Sequence, residues 1–89
     1  MQEQEELKKL RNEIDGIDGH IISLISKRFA AAKRIGVIKK GLGIEVLQPQ
    51  REREVIEKVR TAARNSGIDE ALAEKLFVEI MAASKRVQK

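Results

Sequence analysis

A proline-free run extends from about residue 5 to residue 40, and apolar residues recur in it every three or four positions. This spacing is a heptad pattern, and it predicts one long amphipathic helix. Its apolar members are Leu7, Leu10, Ile14, Ile17, Ile21, Leu24, Ala31, Ile35 and Ile38. Such a helix is about 50 Å long, whereas a compact globule of this size is only roughly 30 Å across. We therefore expect an intertwined homodimer, in which the long helices of two chains pack along each other.

Glycine and proline divide the rest of the chain into a loop and two shorter helices. Gly41 is expected to end the first helix in a left-handed conformation, and the stretch to Gln48 is interpreted as a loop. Pro49 suits the first turn of a second helix that stops before Gly67. Asp69 is expected to cap a third helix. The prediction is an all-α, three-helix subunit forming a single domain over residues 1–89, with helices at about 5–40, 49–65 and 69–88.

Composition excludes several kinds of chemistry. The chain has no cysteine and one histidine, which excludes disulfides, thiol nucleophiles, a Ser-His-Asp arrangement within one chain and a histidine-based metal cluster. We expect no metal and no cofactor. No apolar run approaches the roughly 20 residues of a membrane span, and the first residues are polar and acidic, unlike a signal peptide. The expectation is a soluble, cytoplasmic protein without a membrane partner.

The net charge of +4 raises the possibility of a nucleic-acid partner, because such proteins are often basic. The charges are spread along the chain, which favours solvated helix faces instead. A helix-turn-helix around Asn65-Ser66-Gly67 would present Asp69, Glu70 and Glu74 to the phosphates, which would repel them. This module and a plain coiled-coil adaptor stay open as alternatives of other classes, and no nucleic acid is the favoured prediction.

Polar side chains interrupt the apolar stripe of each predicted helix. Arg28 lies between Leu24 and Ala31 on the first helix, and Lys39 shares its face. The others are Arg51 and Glu52 on the second helix and Ser84 and Gln88 on the third. Taken singly, each has a plainer explanation, such as a buried ion pair or a frayed terminus. Together they predict a polar cavity inside a helical bundle, with the positive excess that suits a small anion.

Arg11 lies about 25 Å along the first helix from Arg28, so these two cations of one chain cannot bind the same small ligand. An antiparallel partner helix could bring Arg11 to Arg28 of the other chain. If Arg11 is functional, the site is shared between subunits.

These residues and their order resemble the all-helical (AroQ-class) chorismate mutases over essentially the whole chain. The motifs are Leu10-Arg11-Asn12-Glu13-Ile14-Asp15-x-Ile17-Asp18, Leu24-Ile25-x-x-Arg28, Ala32-Lys33-x-Ile35-Gly36-x-x-Lys39 and Pro49-x-Arg51-Glu52-Arg53-Glu54, with Ser84 and Gln88 at suitable positions in the last helix. The resemblance implies conversion of chorismate to prephenate in aromatic amino acid biosynthesis by an entwined homodimer with two equivalent sites.

The same resemblance implies a role for each site residue. Arg28, Arg51 and Arg11 of the other chain would bind the two carboxylates of chorismate, assisted by Ser84. Lys39 and Gln88 would donate to the ether oxygen, and Glu52 would hold the ring hydroxyl. Gln48 stands where many relatives have an acidic residue that helps with this contact.

A Claisen rearrangement suits such a chain, because it needs no nucleophile, metal or proton transfer. Binding in a near-attack geometry and donors at the ether oxygen suffice. Since the Gln88 amide does not titrate, we expect activity that is flat from mildly acidic to neutral pH. The sibling isochorismate-pyruvate lyase shares the fold and the cations, and it stays open as an alternative.

Overall fold

Three helices make up almost all of the described chain. The computed structural model describes residues 2–88 and has α1 at Gln2–Leu42, α2 at Pro49–Asn65 and α3 at Glu70–Gln88. The all-α prediction is confirmed, since residues 2–88 contain no strand. The predicted bounds of the helices lie within three residues of the observed ones.

α1 ends two residues later than expected. Gly41 remains helical, and Gly43 takes the left-handed conformation instead, with φ of 70°. The N–H of Ile44 then donates to the carbonyl of Lys39 over 2.8 Å, which satisfies one of the last carbonyls of the helix. Either glycine is able to end a helix, and the one that ends α1 is Gly43, which has the positive φ.

The junction between α2 and α3 is a tight turn with a capping residue on each side. Gly67 has φ of 71°, and the N–H of Ile68 donates back to the Ala63 carbonyl over 2.8 Å. The Asp69 carboxylate accepts from the N–H of Leu72 over 2.9 Å, as expected for the residue before α3.

Ion pairs join the end of α2 to the start of α3. Arg60 donates to Glu74 over 2.6 Å, and Arg64 donates to both oxygens of Glu70 over 2.9 and 3.0 Å. Hydrogen bonding from Arg64 lowers the pKa of Glu70, and the bonds to Glu70 and Glu74 raise the pKa of Arg64 and Arg60. The acidic start of α3 is therefore paired within the chain, and these ion pairs join the two helices at the turn.

α3 is the middle element of the bundle. Both α1 and α2 pack against it, whereas within residues 2–88 the backbones of α1 and α2 do not approach each other. The buried apolar residues are small or flexible: Ala32, Ala63, Ala73 and Met81. Small side chains allow α1 and α2 to approach α3 closely. At the C-terminal end of α3 both helices lie beside the same region.

The N-terminal half of α1 extends away from this bundle. Every residue from 2 to 24 is exposed, and the apolar side chains of Leu7, Leu10, Ile14 and Ile17 are about half accessible to solvent. The molecule measures 63 × 24 × 15 Å, with a radius of gyration of 17.3 Å. A compact chain of this length has a radius of gyration of about 12 Å. No helix among residues 2–88 is long and apolar enough to span a membrane.

Candidate active site

A pocket of about 380 Å³ lies where the C-terminal halves of α1 and α3 meet the start of α2. Seven of the eight predicted site residues line it: Arg28, Lys39, Gln48, Arg51, Glu52, Ser84 and Gln88. The eighth, Arg11, is exposed on the extended half of α1 and does not line this pocket. One chain therefore brings together the residues of three helices but leaves Arg11 apart, as the helix geometry predicts.

Ser84 fixes the position of Arg28. The Arg28 Nη1 donates to the buried Ser84 hydroxyl over 2.6 Å, and that hydroxyl donates to the Ile80 carbonyl over 2.8 Å. No carboxylate among residues 2–88 lies within 4 Å of the Arg28 guanidinium, so the buried ion pair considered for it is not present. Arg28 is a half-buried, oriented cation whose remaining N–H groups are available to an anion.

Lys39 and Gln88 form a second group of donors. The Lys39 ammonium donates to the Gln88 side-chain oxygen and to the Val46 carbonyl, each over 3.1 Å. An ammonium has three N–H groups and an amide nitrogen has two. One N–H of Lys39 and the NH₂ of Gln88 consequently remain for a ligand atom, and no carboxylate among residues 2–88 pairs with Lys39.

A glycine allows this approach of α3 to α1. Gly36 is buried, and a Cβ atom built on it would lie 2.6 Å from the carbonyl oxygen of Gln88, 2.7 Å from its Cα and 3.0 Å from its Cβ. Only a residue without a side chain fits there. Lys39 lies one helical turn after Gly36 on α1. The close approach of the two helices at Gly36 therefore sets the distance between Gln88 and Lys39.

α2 contributes the remaining polar groups. Glu52 accepts from Lys85 of α3 over 2.9 Å, and both side chains are about one-third exposed. Arg51 is exposed and lies 3.6 Å from Glu54. Gln48 immediately precedes α2, yet its side chain does not cap the helix, which leaves the amide free to face the pocket.

The pocket has a strong positive excess. Among residues 2–88, four cations and one carboxylate line it: Arg28, Lys39, Arg51 and Lys85 against Glu52. The apolar part of the lining includes Ala31, Ala32, Ile35, Val55 and Met81. Apolar walls lower the effective dielectric constant and strengthen the attraction of these cations for an anion. The volume and lining suit a small dianion with apolar parts. Within residues 2–88 no cluster of three acidic or histidine side chains is placed to hold a metal ion.

Two polar contributors to the site were not predicted from the sequence. Lys85 follows Ser84 in the last turns of α3, where a lysine also has a local explanation in its interaction with the helix dipole. Lys85 lies four residues after Met81 and three before Gln88, so it is beside the polar stripe of α3. This spacing is the sequence signal that indicates a place for Lys85 in the site. The Val46 carbonyl belongs to a loop, and side-chain patterns do not indicate which loop carbonyl meets a lysine.

The chain is similar to known proteins over nearly its whole length. The family model for chorismate mutase type II matches residues 10–89. The chorismate mutase of Methanocaldococcus jannaschii is 34% identical over 96% of this chain and 86% of its own length. A 4-amino-4-deoxychorismate mutase of Streptomyces venezuelae is 32% identical over 99% of this chain and 85% of its own.

A solved structure is similar over nearly the whole fold. It is that of a conserved hypothetical protein from Pyrococcus furiosus, with a TM-score of 0.72 and 40% identity, covering 93% of this chain and 95% of that one. The family model, the relatives and the all-helical architecture lead to one conclusion. The chain belongs to the chorismate mutase type II family, and it is an enzyme of the isomerase class.

Proposed function

We propose that this enzyme converts chorismate to prephenate, a step of aromatic amino acid biosynthesis, in the pocket between α1, α2 and α3. The observation that carries the proposal is the pair of cations, Arg28 and Lys39, that are half-buried and without a carboxylate partner within residues 2–88. Burying unpaired charge is unfavourable unless a ligand supplies the opposite charge. Chorismate is a dianion with an ether bridge and a ring hydroxyl, and each of these groups has a matching side chain.

The proposed roles follow the contacts of each side chain. Arg28 and Arg51 bind the carboxylates, since a guanidinium matches a carboxylate with two parallel hydrogen bonds. Ser84 acts through Arg28, because its own hydrogen is donated to Ile80. Glu52, with Gln48 beside it, accepts the hydrogen of the ring hydroxyl.

Lys39 and Gln88 are proposed as the donors to the ether oxygen. In the rearrangement the ether C–O bond breaks while a C–C bond forms in one cyclic movement of electrons, and no proton is transferred. Negative charge grows on the ether oxygen in the transition state, so fixed donors there stabilise it more than the bound substrate. The two arginines and the apolar walls hold the flexible side chain over the ring in the reacting geometry.

The direct test is chorismate turnover by the purified protein, followed by ultraviolet absorbance. Prephenate is identified by its acid conversion to phenylpyruvate, and isochorismate is assayed in parallel, where release of pyruvate would indicate the lyase. Lys39→Ala removes an ether-oxygen donor and is expected to lower kcat by about a hundredfold to a thousandfold. Lys40→Ala is the matched control, because Lys40 is exposed and does not line the pocket. No turnover of chorismate by folded protein, or equal loss in both variants, would refute the proposal.

We also propose that a second copy of the chain completes the site. The accessible surface is 7441 Å², whereas a compact monomer of 10.0 kDa exposes about 5,200 Å². The excess of about 2,200 Å² per chain amounts to about 4,400 Å² for two chains, which lies within the roughly 2,000–5,000 Å² of total surface that obligate homodimers bury. The exposed apolar side chains of residues 2–24 would form the interface with this second copy. An antiparallel partner would place its Arg11 at the pocket.

Mixing two inactive variants tests this sharing. Arg11→Ala and Arg28→Ala chains are each expected to be nearly inactive as homodimers. In a hybrid dimer, one site combines an intact Arg28 with an intact Arg11, and the other site lacks both. Random reassortment of equal amounts should therefore restore about a quarter of the wild-type activity. No recovery after confirmed exchange of chains would exclude a contribution from Arg11 across the interface.

A further inference from the structure

Lys85 places a positive charge beside the Glu52 carboxylate in the pocket. Lys85 Nζ lies 2.9 Å from Glu52 Oε1, and both residues line the pocket from different helices. Among residues 2–88, Glu52 makes no other side-chain hydrogen bond or ion pair. One carboxylate oxygen thus meets the ammonium, and the other remains for a ligand.

Within the part of the chain that the structure describes, the pocket lining contains no second carboxylate near this pair. Gln48 is a neutral amide, and the nearby Arg51 is a cation whose one carboxylate contact, at 3.6 Å, is to Glu54 outside the pocket. The Glu52 charge is balanced by Lys85 before any ligand arrives. This end of the pocket can accept a hydrogen bond, but it does not attract a cation.

We propose that Lys85 is a specificity-determining residue that favours a neutral hydroxyl over an ammonium at the ring position bound by Glu52. The inference rests on the proposed function, in which Glu52 holds the hydroxyl at ring position 4. The name of the Streptomyces venezuelae relative contains the compound 4-amino-4-deoxychorismate, which carries an amine in place of that hydroxyl. An aliphatic amine is protonated at neutral pH. When bound to Glu52 it would lie near the Lys85 ammonium, and the two positive charges would repel each other.

The size of the preference follows from Coulomb's law. A group bound to the free oxygen of Glu52 lies about 5–7 Å from the Lys85 nitrogen, given ordinary hydrogen-bond lengths. At that distance, and with side chains one-third exposed, the repulsion is worth a factor of about three to ten in binding. Lys85 thereby contributes to selection without touching the reacting atoms.

The experiment measures kcat/KM for chorismate and for 4-amino-4-deoxychorismate with each variant. Lys85→Gln is expected to shift the ratio of the two values toward the amino compound by about three- to tenfold. Lys85→Arg retains the charge and should retain the wild-type ratio. Gln48→Glu adds a carboxylate at the same end of the pocket and should shift the ratio in the same direction as Lys85→Gln, which provides a second test if one variant does not fold.

The ratio separates a specificity role from a structural one, because damage to the fold lowers both values together. Arg86→Gln is the matched control: Arg86 is the exposed neighbour of Lys85 and does not line this pocket. A ratio in Lys85→Gln within about twofold of wild type, while the protein still turns over chorismate, would overturn the inference. Absence of chorismate turnover in the wild-type protein would refute the proposed function instead.

Discussion

Replacement of Gly36 by alanine is expected to displace the end of α3 and, with it, the Gln88 amide. The added Cβ would lie 2.6 and 2.7 Å from the carbonyl oxygen and Cα of Gln88, whereas ordinary contacts begin at 3.4 Å. These are backbone atoms, so no side-chain rotation relieves the overlap. The last turn of α3 must therefore move by about 0.8 Å or unwind, since packed interiors have little free space.

Such a displacement should affect the rate far more than stability. A misplacement of about 1 Å at a catalytic group can lower the rate about a hundredfold, and we expect kcat to fall by about ten- to a hundredfold. Overpacking destabilises by about 1–3 kcal/mol, but alanine in a helix regains about 1 kcal/mol relative to glycine. The net change in the free energy of unfolding should then be at most about 2 kcal/mol.

The assay is kcat and KM for chorismate, together with urea unfolding of the same preparations. Gly41→Ala is the matched control, because Gly41 is also helical and an added Cβ there meets nothing within 4 Å. Repeating the substitution in a Gln88→Ala background tests the route of the effect, which should largely disappear once the amide is gone. A Gly36→Ala rate within about twofold of wild type, or the same loss in both backgrounds, would contradict the role of Gly36 in placing the Gln88 amide.

Three further outcomes are expected. Ser84→Ala removes the 2.6 Å anchor of Arg28 and should raise KM about tenfold with a smaller change in kcat; an unchanged KM would contradict this role. The wild-type rate should be flat between pH 5 and pH 7, whereas Gln88→Glu should lose activity as pH rises through the titration of the new carboxyl; a steep loss in the wild type would count against Gln88. Hydrogen bonding from Arg64 lowers the pKa of Glu70 below its ordinary 4.5, so this pair stabilises the fold above that pH and the stabilisation is lost on acidification. Glu70→Gln should therefore lower the urea midpoint at pH 7, by an amount that shrinks as pH falls through the carboxyl range; a deficit independent of pH would exclude the ion pair as its cause.

Local chemistry made the helices predictable. Pro49 and Asp69 mark helix starts by mechanisms that act within one turn, and the structure has helices at both places. The end of α1 is not fixed by local chemistry alone, because Gly41 and Gly43 are equally able to take a left-handed conformation. Only the structure distinguishes them, and it assigns the positive φ to Gly43.

The pocket was predictable to the extent that polar residues on an apolar stripe must face something polar. Arg28, Lys39 and Ser84 are identified in this way, and all three line the pocket. Gly36 cannot be found in this way, because a helical glycine has no side chain to reveal its role and its contact is with a residue 52 positions away. Lys85 was missed because a charge in the last turns of a helix already has a local explanation.

Because α3 lies between α1 and α2, the size of the pocket can change independently of the charged groups that line it. Arg28 and Lys39 lie on α1 and Glu52 on α2, and these two helices are held apart only by α3 within the described residues. Substitutions among the buried side chains of α3, such as Ala73 or Met81, would shift the α2 groups relative to the α1 groups without removing any charged group. A lineage with this architecture can therefore adapt to a larger or smaller ligand in single conservative steps, without first losing the residues that bind it.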